Sequence, residues 1–345
     1  MLERHANKTY PHFLLCALLR VTGGCVLLFL VSSCDQHTQI KSDLHALHTR
    51  VVSFIGTNEI PLNADLHLNP PQRSSMRIKV TELQINLREF YALEKCQLNK
   101  TVAERNTALG KTQLPSTRYA YEKALIAQLQ SCLKLLPANH KMTPKLSEWL
   151  ELKQGELPLV WANMITQSQE VYNAFAVTPD FIAGNDKDQL HAAKQALRYI
   201  LVADDTYKLE THLKTLQDSR IFARMWRSQK LVTQYLQQMK PSLQTYLDTN
   251  QCKTRQDREA ISIMRNIFRH FFAEKIQSTL SQLNHYHYQL NPLLTELSQK
   301  LAKRGDEASL LSNYINHHTQ LSHNAYKEAV NEYIALWRSV FVHCD

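Results

Sequence analysis

The chain has 345 residues, a formal net charge of +9 and a mean hydropathy of −0.36, enough for one large domain or two small ones. Its positive charge is spread without any run of five like charges, which argues against a nucleic-acid footprint. Its seven glycines are too few and too scattered for phosphate-binding loops or a hairpin-rich β fold. An all-α fold is expected: a multi-helix bundle of long antiparallel helices, as a single compact body or two abutting helical halves.

The N-terminus carries Arg4, Lys8 and Arg20 against Glu3, then the apolar run from Val21 to Leu30, then Val31-Ser32-Ser33-Cys34. Basic residues before a short apolar stretch are the pattern of a secretory signal. An uncleaved anchor helix over residues 13–30 is the alternative, but Arg20 and Gly23-Gly24 interrupt it, and a mid-span charge costs roughly 3 kcal/mol. The tetrapeptide resembles the bacterial lipobox. That resemblance implies removal of residues 1–33, acylation of Cys34, and a mature domain over residues 34–345 held to a lipid bilayer. Asp35, following the cysteine, resembles an inner-membrane retention signal, so the periplasmic face of the inner membrane of a Gram-negative bacterium is favoured over the outer membrane.

In chain order, Ile40, Leu44, Leu47, Val51 and Phe54 step by four and three, which predicts a first amphipathic helix almost at the anchor. Pro61, Pro70 and Pro71 mark a loop. The series Leu87, Phe90, Leu93 follows, and Pro115-Ser116-Thr117 opens a helix that runs to Leu136 before Pro137. Two segments are expected next, from Thr143 to about Lys153 and from Leu157 to about Phe175, broken at Gly155-Glu156. Residues 179–184 read as a loop, leaving a possible sub-boundary near 176–186. A helix capped by Asp186 extends to Ala203. Another starts at Ser219 with Phe222, Met225, Val232, Leu236 and Met239 on one face, kinked or ended by Pro241. The series Ile261, Met264, Phe268, Phe271, Leu280, Leu283 and, after Gly305-Asp306, Leu311 to Phe341 complete the bundle.

Between Leu93 and Tyr121 the strings Leu-Glu-Lys-Cys-Gln-Leu, Ala103-Glu104-Arg105-Asn106, Leu109-Gly110-Lys111, Pro115-Ser116 and Tyr121-Glu122 stand out, with Glu156-Leu157-Pro158-Leu159-Val160-Trp161 further on. These resemble an uncharacterised family of gammaproteobacterial periplasmic lipoproteins, domain of unknown function 3080. The resemblance implies a location and a helical fold. It supplies no catalytic or binding residues beyond the acylated cysteine.

Of the four cysteines after Cys34, the pairing Cys96 with Cys132 and Cys252 with Cys344 is favoured, because each pair lies within one half of the chain near helix ends. Free buried thiols are the alternative. Glu104, Arg105, Asn106, Lys111 and Arg118 form the densest polar cluster, either a ligand pocket with Trp161 or, preferably, a network that fixes helix crossing. Arg118 and Glu122 have the spacing of an ordinary surface ion pair. Among the histidines 285, 287, 317, 318 and 323 no pair sits four apart as a helical zinc motif requires, and His318 falls on the apolar stripe. No metal, cofactor or catalytic constellation is therefore assigned, and the balance leans away from an enzyme. The favoured function is a membrane-anchored interaction or scaffold module with an envelope protein partner. The alternative is a small-ligand or peptidoglycan-related binding or hydrolytic protein using Glu104, Arg105 and Trp161.

Overall fold

The computed structural model describes residues 38–57, 65–107, 110, 112–184, 186–250 and 252–342, so residues 1–33, Cys34, Lys111 and Cys344 lie outside the described residues. Ile40, Leu44, Leu47 and Val51 are buried along one side of helix α1 (Gln39–Ile55). Gly56 closes that helix at φ +75°, a left-handed conformation open to glycine without steric cost. An extended segment follows, and then α2 (Leu87–Ala92), whose Asn86 and Glu89 form a reciprocal capping box, and α3 (Leu98–Asn106). The chain continues through α4 (Pro115–Leu135), α5 (Thr143–Gln167), α6 (Gln169–Ala176), α7 (Lys187–Val202), α8 (Leu209–Ser219) and α9 (Ile221–Thr249). Helix α10 (Arg255–Ile267) runs through a π-helical stretch, Phe268–Ile276, into α11 (Gln277–Ala302). Helix α12 (Asp306–Asn316) likewise passes through π-helical His317–Ser322 into α13 (His323–Val342). No strand occurs among the described residues, and the all-α expectation holds.

Packing divides the side chains into two apolar cores. The smaller gathers Leu93, Leu98, Val102, Leu125, Leu129, Cys132, Leu146 and Trp149 from α3, α4 and the first half of α5. Cys96 and Cys132 are bridged there, with their Cα atoms 5.1 Å apart. Cys252 is also disulfide-bonded, while its expected partner Cys344 lies outside the described residues. The larger core takes α1, the second half of α5 and α6 onward, and residues on both sides of 176–186 belong to it: Phe175 stacks on Phe222, centroids 4.7 Å apart. Neighbours run in both senses. The α11/α12 hairpin is antiparallel, Ser298 meeting Ser312, but α9 and α13 run parallel, with Gln229 beside His323 and Lys240 beside Glu332.

Several expected breaks are absent. Helix α5 continues through Gly155 and Pro158, although an interior proline removes a backbone donor at a cost of about 3 kcal/mol. Trp149 on one side, and Val160, Trp161, Met164 and Ile165 on the other, are buried, so burial of both halves outweighs the local break signal. The chain turns instead at Ser168, whose hydroxyl accepts the Val171 amide. Pro241 likewise sits inside α9. Ser219 ends α8 rather than starting α9; Arg220, at φ +46°, joins the two.

The extended segment before α2 is held by side chains of α5 in place of a neighbouring strand. Asn163 accepts the Ile78 amide at 2.9 Å and donates to the Ile78 carbonyl at 2.8 Å. Thr166 donates to the Met76 carbonyl, Gln167 to that of Arg73, and Glu156 accepts from the Thr81 amide. These bonds meet the requirement that buried main-chain groups find partners.

Candidate functional site

The polar cluster anticipated around Arg105 is an ion network between the extended segment and the α4/α5 pair. Arg105 pairs with Glu82 at 2.8 Å and also donates to the Gly110 carbonyl. Arg118 pairs with Glu122, and Glu122 faces Lys153 at 3.4 Å; Lys153 in turn lies 3.5 Å from Glu156 and donates to the Thr81 carbonyl. Glu122 and Lys153 are each 1 % exposed, so the Arg118–Glu122 contact is a buried one and not the surface pair that its spacing suggests. Burial pushes the Glu122 carboxyl up, with the Lys153 ammonium opposing it. The cavity beside these groups holds about 20 Å³, little more than a single water. Glu104 and Asn106 are exposed. Trp161 is not part of the cluster: it packs in the larger core and donates its indole N–H to the Ile200 carbonyl at 3.0 Å. The arrangement fixes how the 73–82 segment, α3, α4 and α5 cross.

Cys96 and Cys132 meet as expected, and His318 is 6 % exposed, as its place on the apolar stripe suggests. His287 and His323, not paired in the sequence reading, stack on each other. Among the described residues no group of three or more His, Cys, Asp or Glu could hold a metal ion, and no helix is long and apolar enough to cross a membrane.

A more substantial site opens elsewhere, where α9, the segment 67–71 and the α12–α13 junction enclose a cavity of about 560 Å³. Helix α9 supplies Trp226, Lys230, Thr233 and Gln234 at steps of four, three and one, which places them on one face. The opposite wall is Tyr314 of α12 with His317, His318 and Ser322 of the π-helical stretch. Such stretches widen a helix by one residue and recur at functional sites. Asn69, at φ +48°, turns the third wall across the opening.

The aromatic groups are held firmly. The indole of Trp226 stacks on the His318 imidazole, centroids 4.6 Å and planes 14° apart, with the Tyr314 ring edge-on at 5.7 Å. Tyr314 donates to the Phe175 carbonyl at 2.9 Å, and His318 Nε2 lies 3.4 Å from the Leu68 carbonyl. Burial pushes His318 down to about 4, the Leu68 carbonyl opposing, so the ring is neutral near pH 7 and donates through Nε2. Lys230 Nζ is tied to the His67 carbonyl at 2.8 Å and faces Asp65 at 3.7 Å.

Two residues that line the cavity, Trp226 and Gln234, each carry a buried polar atom without a partner among the described residues, the Nε1 donor and the Oε1 acceptor. Unmet donors and acceptors in a folded interior each cost about 1–3 kcal/mol. No Asp or Glu lines the cavity among the described residues. The geometry suits holding a molecule by flat apolar contact and a few hydrogen bonds. Sequence reasoning missed this site because its parts lie far apart in the chain; the sole local signal was the adjacent histidines 317 and 318.

No curated protein and no solved structure matches the chain. One family model does, over residues 44–345, and its description is a protein of unknown function (DUF3080). That span covers both cores, the Arg105 network and the Trp226 cavity, and the chain therefore belongs to the DUF3080 family.

Proposed function

We propose that this protein is a ligand-binding member of the cell envelope, anchored by lipid on Cys34 at the periplasmic face, with the inner membrane favoured by Asp35. The carrying observation is the cavity of about 560 Å³ walled by the stacked Trp226 and His318 rings and Tyr314, two of whose lining residues, Trp226 and Gln234, also hold a buried polar atom without a partner among the described residues. Its ligand is a small molecule with a flat apolar part, an acceptor for the indole and a donor for Gln234. A scaffold role alone would be served by a continuous exposed apolar face; the large exposed apolar residues, such as Leu87, Leu135, Tyr207, Tyr288 and Leu321, are spread over separate elements. An envelope protein partner remains compatible with ligand binding and is part of the proposal.

The anchor is supported by the lipobox-like tetrapeptide and by the bridge between Cys96 and Cys132, which suits an oxidising compartment. Labelled palmitate should enter the wild-type protein and not Cys34→Ala, which should leave the membrane fraction or stall in processing. The ligand site is tested by nuclear magnetic resonance with a panel of monocyclic aromatic amides. Members that bind should shift the indole N–H resonance assigned through Trp226→Phe, and that variant should bind them at least tenfold more weakly. A panel that leaves this resonance unmoved counts against the cavity as the site.

A further inference from the structure

A second cavity, of about 580 Å³, lies between α7 and α11 and differs in character. One wall is Lys187, His191 and Lys194, at steps of four and three on α7; the other is Ser278, Ser281 and His285, at steps of three and four on α11. Each set occupies one helical face, so two cations, two imidazoles and two hydroxyls line a single groove. Among the described residues no carboxylate lines it. Among the described residues Lys187 has no ion pair, and Lys194 donates to the neutral carboxamide of Gln289. Both ammonium groups therefore keep their charge uncompensated.

The groove is also built on a fixed floor. Gln282 donates to the Ala183 carbonyl and to the Tyr286 hydroxyl, both at 2.8 Å. From the core side Arg224 holds the same loop, donating to the Phe181 carbonyl at 2.9 Å and pairing with Asp186 at 2.5 Å. Asp186 is wholly buried, and its pairing with Arg224 neutralises the carboxylate beside the groove. The first turn of α7 adds the positive end of a helix dipole.

We infer that the α7/α11 groove binds a phosphate-ester anion, seated between Lys187 and Lys194 with the hydroxyls of Ser278 and Ser281 as further donors. Point-charge ammonium groups with flanking hydroxyls match a tetrahedral oxyanion, which offers acceptors in several directions. The inference stands apart from the cavity at Trp226. Two sources offer this chemistry, a soluble phosphate ester and a phospholipid headgroup, and they are separable.

The test is calorimetric titration of the full-length mature protein, at low salt, with glycerol 1-phosphate and with dioctanoyl phosphatidylglycerol below its micelle concentration. Comparable binding of both assigns a soluble phosphate ester; binding of the lipid alone assigns the headgroup with its acyl chains. In either case Lys187→Gln/Lys194→Gln should weaken binding at least tenfold while circular dichroism and thermal melting stay as in wild type, and added salt should weaken it further. Trp226→Phe should leave this binding unchanged. No binding of either probe, or equal binding by the double variant, overturns the inference.

Discussion

The imidazole of His287 lies flat on that of His323, with centroids 3.4 Å apart and planes 4° from parallel. Burial holds both near 4, assisted for each by the Lys327 ammonium and for His287 by His323 as well; His318 is pushed down to about 4 by burial at the Trp226 cavity. Unfolded, each titrates near 6.5. Between those values the unfolded chain binds more protons, so stability is complete above about 6.5 and is lost as pH falls towards 4. The slope approaches ~1.4 kcal/mol per pH unit for a buried imidazole, and less for the half-exposed His323. Urea midpoints should be lower at pH 5 than at pH 7, and His287→Leu should narrow the gap. Equal midpoints for the wild type would contradict this.

The Glu122–Lys153 pair should respond unequally to single and double substitution. Lys153→Met leaves the 1 % exposed Glu122 carboxylate with Arg118 as its remaining ion-pair partner and should destabilise by less than an uncompensated buried charge would, about 3–5 kcal/mol. Adding Glu122→Leu removes the half-compensated carboxylate and should recover part of that loss, leaving Arg118 to reach solvent. A double-mutant cycle by urea unfolding measures the coupling.

The Cys96–Cys132 bridge closes a loop with a sequence separation of 36, worth about 3–4 kcal/mol by restriction of the unfolded chain. Because the bridge lies in the smaller core, Cys96→Ser/Cys132→Ser should raise hydrogen exchange in α3 and α4 far more than in α9 or α13. Uniform loss of protection across the chain would show that the two cores unfold as one.

Asn163→Ala should free the extended segment. It removes both bonds to Ile78 and leaves that residue's amide and carbonyl to find water. Limited proteolysis should cut within residues 73–82 at least tenfold faster, while the far-ultraviolet dichroism of the helices is kept.

The helices were legible where apolar spacing and cap residues agree. Pro115 opens α4 at its N-terminal turn and Gly56 closes α1, because a proline's missing donor and a glycine's left-handed φ are local matters. Asp186 shows the limit. It stands at the N-terminus of α7 as expected, yet its carboxylate accepts the Ala183 amide at 2.6 Å and pairs with Arg224 instead of capping. A residue 38 positions away decides its role, and no local pattern carries that. The α5 break failed for a similar reason: Gly155 and Pro158 are local signals, overruled by burial of side chains against partners from α7 and the 73–82 segment. The π-helical stretches are equally invisible, since one extra residue per turn leaves hydrophobic spacing almost unchanged over a few residues. The polar cluster was found as residues, and its depth was not, because burial of Glu122 depends on Lys153 reaching it from α5.

The row formed by Glu156, Asn163, Thr166 and Gln167 grips mainly main-chain amides and carbonyls, with the Thr81 hydroxyl on Glu156 and the Arg77 guanidinium on Gln167 as side-chain contacts, so it is largely blind to what the other gripped residues carry. Identity along 73–82 is then constrained at the inward positions Met76 and Ile78, each at most 9 % exposed, at Val80 against the larger core, at Glu82 through its pair with Arg105, and by the need for an N–H at 78 and 81. Exposed Ser74 and Lys79 are where side chains are free to drift. A library randomised over 73–82 should tolerate almost everything at 74 and 79 and reject proline at 78 and 81.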